Sequence, residues 1–333
     1  MIATCFVYML IFAGMAIALG TIGALGTYAL HGDGATRDFV RTYFGTFNAI
    51  GVASTGYALM LFVRTTGRSV MAQLVDLLHV PDEHATQFAR QLHRITSWGP
   101  SNWICIPLTI IGSVALWWRG FPLAGFSKVY LALSAFSIYY VASNILSFYL
   151  FVILLFRFIE EHSRRTGARF RLNVSPGGME MRTIDTFLVT SATMGVFTLY
   201  VGIRATLTAT FADTVPFLRE LLLLPFILYL PATLCYSLYP RYVLRHISEC
   251  DALASIEELE RQVQSSPPGD IRSNLELRKL TIELKEKMLN DCRSTPVLGL
   301  KDAPSLTMSI VVILQFIAQK DNVYAEFFKS LFG

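Results

Sequence analysis

The residues of this chain that could do chemistry lie mostly on apolar segments. One set sits near the end, where Ser305, Ser309, Gln315 and Gln319 recur along an apolar run from Pro304 to Ala318, with Val312 at the same helical phase. Spacings of three and four put these on one face, with Val311, Ile313, Leu314 and Ile317 mostly elsewhere. Such a seam suits a helix that meets water or ions on one side and protein or lipid on the others. Ser137, Tyr140, Asn144 and Ser147 share a face of an earlier apolar segment, read either as interhelical hydrogen bonding or as a wet cavity. Thr186, Thr190, Thr193, Tyr200 and Arg204 share another; Arg204 must snorkel or pair, and Glu220 across the next turn is its expected partner. His79, Asp82, Glu83, His84 and His93 are metal-ligating types without an HExxH pattern, and read as a solvated polar face. With no GxSxG, HExxH or paired intramembrane carboxylates, neither enzymatic catalysis nor a metal or other cofactor is expected.

Only a membrane bundle could position these residues. The 333 residues are 53% hydrophobic and 16% charged, against about 25% charged in a soluble domain, and the mean hydropathy is +0.48. The expected fold class is all-α, a polytopic membrane protein with seven transmembrane helices at 7–30, 39–63, 102–118, 129–156, 186–208, 217–239 and 304–318. The four tryptophans, Trp98, Trp103, Trp117 and Trp118, flank or end the third segment as an interfacial belt. Gly20, Gly23 and Gly26 on the first segment predict close helix packing. Pro225, Pro231 and Pro240 predict kinks in the sixth.

Four units follow: a six-helix bundle over 1–240, a cytoplasmic helical region over 241–300, the seventh helix at 304–320 and an amphipathic tail at 321–333. Within the first, residues 69–97 predict an amphipathic two-helix hairpin, with Val70, Leu74, Leu77 and Leu78 on one arm and Ala85, Phe88, Leu92 and Ile95 on the other. In the second, Leu253, Ile256, Leu259 and Val263 continue the sixth helix, and Leu277, Leu280, Leu284 and Met288 mark a further one. The five cysteines are scattered, so neither a disulfide framework nor a zinc site is expected. No cleavable signal peptide is expected, because the first apolar run lacks a basic n-region and is too long.

Arginine placement sets an orientation. Arg64, Arg68, Arg90, Arg94, Arg157, Arg164, Arg165, Arg169, Arg171, Arg182, Arg241 and Arg245 follow the second, fourth and sixth segments. Near their helix ends the other loops hold only Arg37, Arg41, Arg119, Lys128 and Arg219. This predicts a cytoplasmic N-terminus and an outside C-terminus. The net charge of +4 then reflects loop arginines at the bilayer, with no nucleic-acid partner.

Seven helices with an inside N-terminus, a sixth helix extended into the cytoplasm and a short last helix resemble the insect gustatory and odorant receptor channels and their relatives outside insects. In gustatory receptors the last helix carries Thr-Tyr, five hydrophobic residues, then Gln-Phe. Ile310-Val311-Val312-Ile313-Leu314-Gln315-Phe316 is similar to the second half, while Met308 and Ser309 stand at the Thr and Tyr positions. The resemblance implies a homotetrameric, ligand-gated cation channel in the plasma membrane. Its pore would be lined by Ser309, Val312, Gln315, Phe316 and Gln319, with Val312 as the constriction. A small-molecule ligand would enter among the outer halves of the other helices, where Tyr43, Asn48, Tyr139, Tyr140, Tyr200 and Arg204 are available. The rival expectations are a secondary transporter and a non-conducting membrane scaffold that binds partners through its cytoplasmic helices.

Overall fold

Helix α1 (Ile2–Tyr43) is apolar almost all round, and the chain buries only one stripe of it. Ala16, Gly20, Gly23 and Thr27 are buried, small residues at spacings of four, three and four that let α2 (Phe47–Ala72) come close. Phe6, Leu10, Met15, Ile22, Leu25 and Leu30 are exposed on the other sides, a surface far too apolar for water and suited to lipid. Gly32, at φ 77, breaks the helix, in a left-handed conformation that costs glycine little.

The computed structural model describes residues 2–43, 47–119, 125–163, 170–172, 179–208, 218–265, 276, 279–283, 285–286 and 302–318. They are almost entirely helical. After α2 come α3 (Leu74–Leu77), β1 (Leu78–His79), α4 (Asp82–Thr96), α5 (Trp98–Arg119), α6 (Gly125–Ser163) and β2 (Arg171–Leu172). Then follow α7 (Met179–Thr208), α8 (Leu218–Ser265) and α9 (Ala303–Ala318). Among the described residues Ala3–Val40, Tyr139–Ser163 and Met181–Ile203 are long and apolar enough to cross a membrane, and Ala303–Leu314 is a shorter apolar helix. The chain is therefore a helical, membrane-embedded protein.

The core lies where α2, α6, α7 and α8 meet. Phe62, Phe148, Tyr149, Phe187 and Tyr236 are fully buried there. Tyr149 and Tyr236 stack with centroids 4.1 Å apart. Their hydroxyls are satisfied on one serine: Tyr149 donates to the Ser191 carbonyl at 2.9 Å, and the Tyr236 and Ser191 hydroxyls bond at 2.8 Å. Buried aromatic hydroxyls need such partners. Helix α5 packs on α6, at the edge of this core.

Two boundaries differ from the sequence expectations. Phe39 does not open the second segment; it is a fully buried residue of the last arm of α1, because the break falls at Gly32 and the chain resumes helix at once. The first arm of the 69–97 hairpin is not a separate helix. Instead α2 runs on to Ala72, α3 adds one turn, and β1 pairs antiparallel with β2, Leu78 opposite Leu172. Pro81, at φ −60 and ψ 142, holds the extended turn into α4. Val70, Leu74, Leu77, Leu78, Phe88 and Ile95 are buried, so the amphipathic stripes face the bundle, although Ala85 is exposed. Helix α8 continues as one element past Pro225, Pro231 and Pro240 to Ser265. Of the further helix, 279–283 are helical, with Leu280 and Ile282 exposed. The tail at 321–333 lies outside the described residues.

Close approach in the core rests on glycine. A Cβ at Gly67 would lie 2.8 Å from ring atoms of both Phe148 and Phe187, whereas one at Gly14 would meet nothing within 4 Å. Gly67→Ala should therefore destabilise the fold by about 1–3 kcal/mol. Gly14→Ala should be neutral or stabilise by roughly 0.5–1 kcal/mol. Thermal unfolding of both variants in detergent checks the contrast.

Candidate functional site

Helix α9 is the last described element, and a buried charge cluster fixes how it sits. Asp302, just before its first turn, is 1% exposed. Its carboxylate accepts from Arg241 Nη1 at 2.6 Å, and Arg241 Nε reaches Asp185 Oδ1 at 2.6 Å. One guanidinium thus ties α7 to α8 and α8 to the start of α9. Charges so deeply buried are tolerated only when paired and hydrogen-bonded.

From that clasp the polar seam runs inward. Ser305 donates to the Asp302 carbonyl at 2.9 Å, and Ser309 donates to the Ser305 carbonyl at 2.7 Å. Both serines are buried, and Val312 is 0% exposed. The helix packs against α7. Ile310, Ile313 and Leu314 are exposed on the outer side, together with Thr307. The expected pore face therefore points into the chain itself. A residue that lines an axis between copies stands free in the single copy, and Ser309 and Val312 do not. The reason is the clasp, which turns the face following Asp302 towards Arg241. The side chains of Gln315, Phe316 and Gln319 lie outside the described residues.

A cavity of about 10 Å³ lies beside the clasp, between α7, α8 and α9, the room of a single water. Thr233, Ser237, Asp302 and Ser305 supply its polar wall, and Ala192 and Val196 part of its apolar wall.

A second polar centre sits around Arg64, which is 5% exposed. Its Nη1 donates to the carbonyls of Ile95 and Ser97, each at 3.4 Å. Its Nη2 donates to Ser101, to Asn144 Oδ1 at 3.1 Å and to Ser147 at 3.5 Å. The guanidinium carbon lies 5.1 Å from the Trp98 ring centre and 5.8 Å from that of Phe148. Neutral oxygens and aromatic faces hold this cation, and they join α2, α5, α6 and the α4–α5 junction.

The other expected positions fall as follows. Asn144 and Ser147 serve Arg64, and Tyr140 donates to Asn102 Oδ1 at 2.7 Å, so this face of α6 makes interhelical hydrogen bonds. Tyr139 and Tyr200 are half-buried. The side chains of Tyr43, Asn48, Arg204 and Glu220 lie outside the described residues, and with them the Arg204–Glu220 pair. His79, Asp82, Glu83 and His93 are exposed. His84 instead packs against His162, with ring centres 4.2 Å apart, and against Phe158 and Phe170. No group of three metal-ligating side chains forms among the described residues.

Sequence reasoning missed Asp302, Asp185 and the inward turn of Arg241 and Arg64. The available signal was charge placed beside apolar helix, which calls for a buried partner.

Arg241→Ala takes the guanidinium from the buried Asp302 carboxylate and from the half-buried Asp185 and should cost about 3–5 kcal/mol. Arg261→Ala removes an exposed pair with Glu258 on α8 and should cost no more than about 1 kcal/mol. Thermal melts of the two variants, with protease cutting ahead of α9 as a second readout, distinguish clasp from surface pair. Comparison with protein families, curated proteins and solved structures finds no match to this chain.

Proposed function

We propose that this chain is a subunit of a seven-span, ligand-gated cation channel of the gustatory-receptor-like type, assembled as a homotetramer in the plasma membrane with its N-terminus in the cytoplasm. The observation that carries this reading is the setting of α9. The helix has 16 residues, or about 24 Å at 1.5 Å per residue, short for a helix facing lipid alone. It is held to the bundle along one face and at one end. Its other face, with Thr307, Ile310 and Leu314 at spacings of three and four, is exposed and free to meet other copies. Leu253, Leu280 and Ile282 are also exposed within 241–300, the region that in this proposal holds the subunits together.

Burial moves the proposed constriction. Val312 is replaced in that role by Ile310 and Leu314, and a ring of such side chains closes a pore by dewetting. Gln315 stays beside the constriction in the proposal.

Leu314→Ser should raise resting cation flux several-fold in reconstituted vesicles, because a hydroxyl wets the ring. Val312→Ser should leave flux unchanged and lower the melting temperature, because it puts a hydroxyl into a filled core. Flux raised by Val312→Ser alone would return the pore to the buried face. No cation flux from any variant, with correctly inserted protein, would favour the scaffold, and saturable coupled solute uptake the transporter.

A further inference from the structure

Helix α4 sorts its exposed charge along its length. Asp82 and Glu83 stand in the first turn, and Arg90, His93 and Arg94 in the last two, all exposed. Phe88 and Ile95 turn the opposite face into the bundle, so the basic side chains point away from it. Arg68 is exposed on α2, one turn beyond Arg64, and α2 packs on α4. None of Arg64, Arg68, Arg90 and Arg94 forms an ion pair among the described residues. Arg94 reaches only the Gln91 amide oxygen, at 3.4 Å. Glu83 precedes Arg90 by about 10 Å of helix, a distance over which physiological salt screens most of its charge. The approach to the α4–α5 junction therefore carries positive charge that the described carboxylates do not neutralise.

The residues that follow say what stands beside this charge. Trp98 opens α5 and is 41% exposed, and Trp103 is 84% exposed. Ile106, Ile110 and Val114 continue at spacings of three and four, all exposed, while Ser101, Cys105 and Thr109 are buried on the other side. An apolar stripe of this kind suits acyl chains, and tryptophans at its start belong at the headgroup level. Arginines just ahead of those tryptophans then meet the charged surface of the bilayer. We propose that the α4–α5 junction binds an anionic phospholipid, its phosphate on Arg90 and Arg94 and its acyl chains along the stripe from Trp103 to Val114. Guanidinium groups take phosphate oxygens through paired N–H donors. Each one near an anionic lipid surface strengthens the attraction about fivefold, and Arg68 adds to the same field. The headgroup settles on the junction that Arg64 registers against α2 and α6, so binding reinforces that frame. The proposal rests on the chain being embedded in a membrane and not on conduction.

Basic residues in the last turns of a helix also complement its dipole, an effect indifferent to the lipid outside. The test uses the purified full chain in nanodiscs of phosphatidylcholine, alone or mixed with phosphatidylglycerol. The anionic lipid should raise the melting temperature by about 2–4 °C. Native mass spectrometry should find phosphatidylglycerol retained several-fold over phosphatidylcholine. Arg90→Gln combined with Arg94→Gln should remove both effects. Each single substitution should weaken them, which keeps the test readable if the double variant folds poorly. Arg261→Gln, at an exposed pair near the end of α8, should change neither. A melting temperature lowered equally in both discs, with the lipid preference intact, would overturn the proposal and assign the arginines to the helix dipole. Equal retention of the two lipids by the unaltered chain would also overturn it and leave the basic edge to water.

Discussion

Arg241 stands between two carboxylates, one on α7 and one at the head of α9, and the position of the last helix depends on it. Nothing else among the described polar contacts ties α8 to α9 so directly. The guanidinium is 8% exposed and Asp302 1%, so removing either leaves a charge in a medium that penalises it heavily. That penalty gives the arrangement its specificity. A helix of Ile, Val and Leu could dock on many faces at similar gain, since lipid and protein interior are nearly equivalent for such residues. The charge cluster excludes the other rotations. It turns Ser305, Ser309 and Val312 inward and leaves Ile310 and Leu314 outside.

Arg64 solves a similar problem with different partners. Its hydrogen bonds run to backbone carbonyls, hydroxyls and an amide, with the guanidinium carbon over the Trp98 and Phe148 rings. Several acceptors on separate helices must be in place together for that cation to be satisfied. The α4–α5 junction is thereby registered against α2 and α6. The aromatic layer beneath, with Tyr149 and Tyr236 sharing Ser191 as a partner, completes a rigid frame. The last helix is fastened to that frame from one side only.

Much of the helical layout was legible in the sequence. Apolar runs marked where helices form, and the stripes at Val70, Leu74, Phe88 and Ile95 marked faces that are buried. The extension of α8 beyond Tyr239 followed from continued periodicity. What periodicity cannot supply is direction. It places Ser305, Ser309 and Val312 on one face of α9 but does not say whether that face meets an axis, lipid or α7. The clasp decides that, and it joins residues far apart in the chain. Arg64 and Arg241 were hidden for a related reason. Counted as charges after apolar segments they look like loop arginines, and only tertiary structure shows a guanidinium turned inward. The expected break between the first two segments was misplaced because the helix resumes directly after Gly32, on residues that read as loop.

The central claim is that α9 turns its Ser309–Val312 face into its own subunit and its Ile310–Leu314 face towards other copies. Oxidative cross-linking in native membranes tests it directly, with single cysteines at Ile310, Val312 or Leu314 in a chain whose own cysteines are replaced. The account expects covalent dimers from Ile310→Cys or Leu314→Cys and none from Val312→Cys. Dimers from Val312→Cys, with Ile310→Cys and Leu314→Cys remaining monomeric, would contradict it.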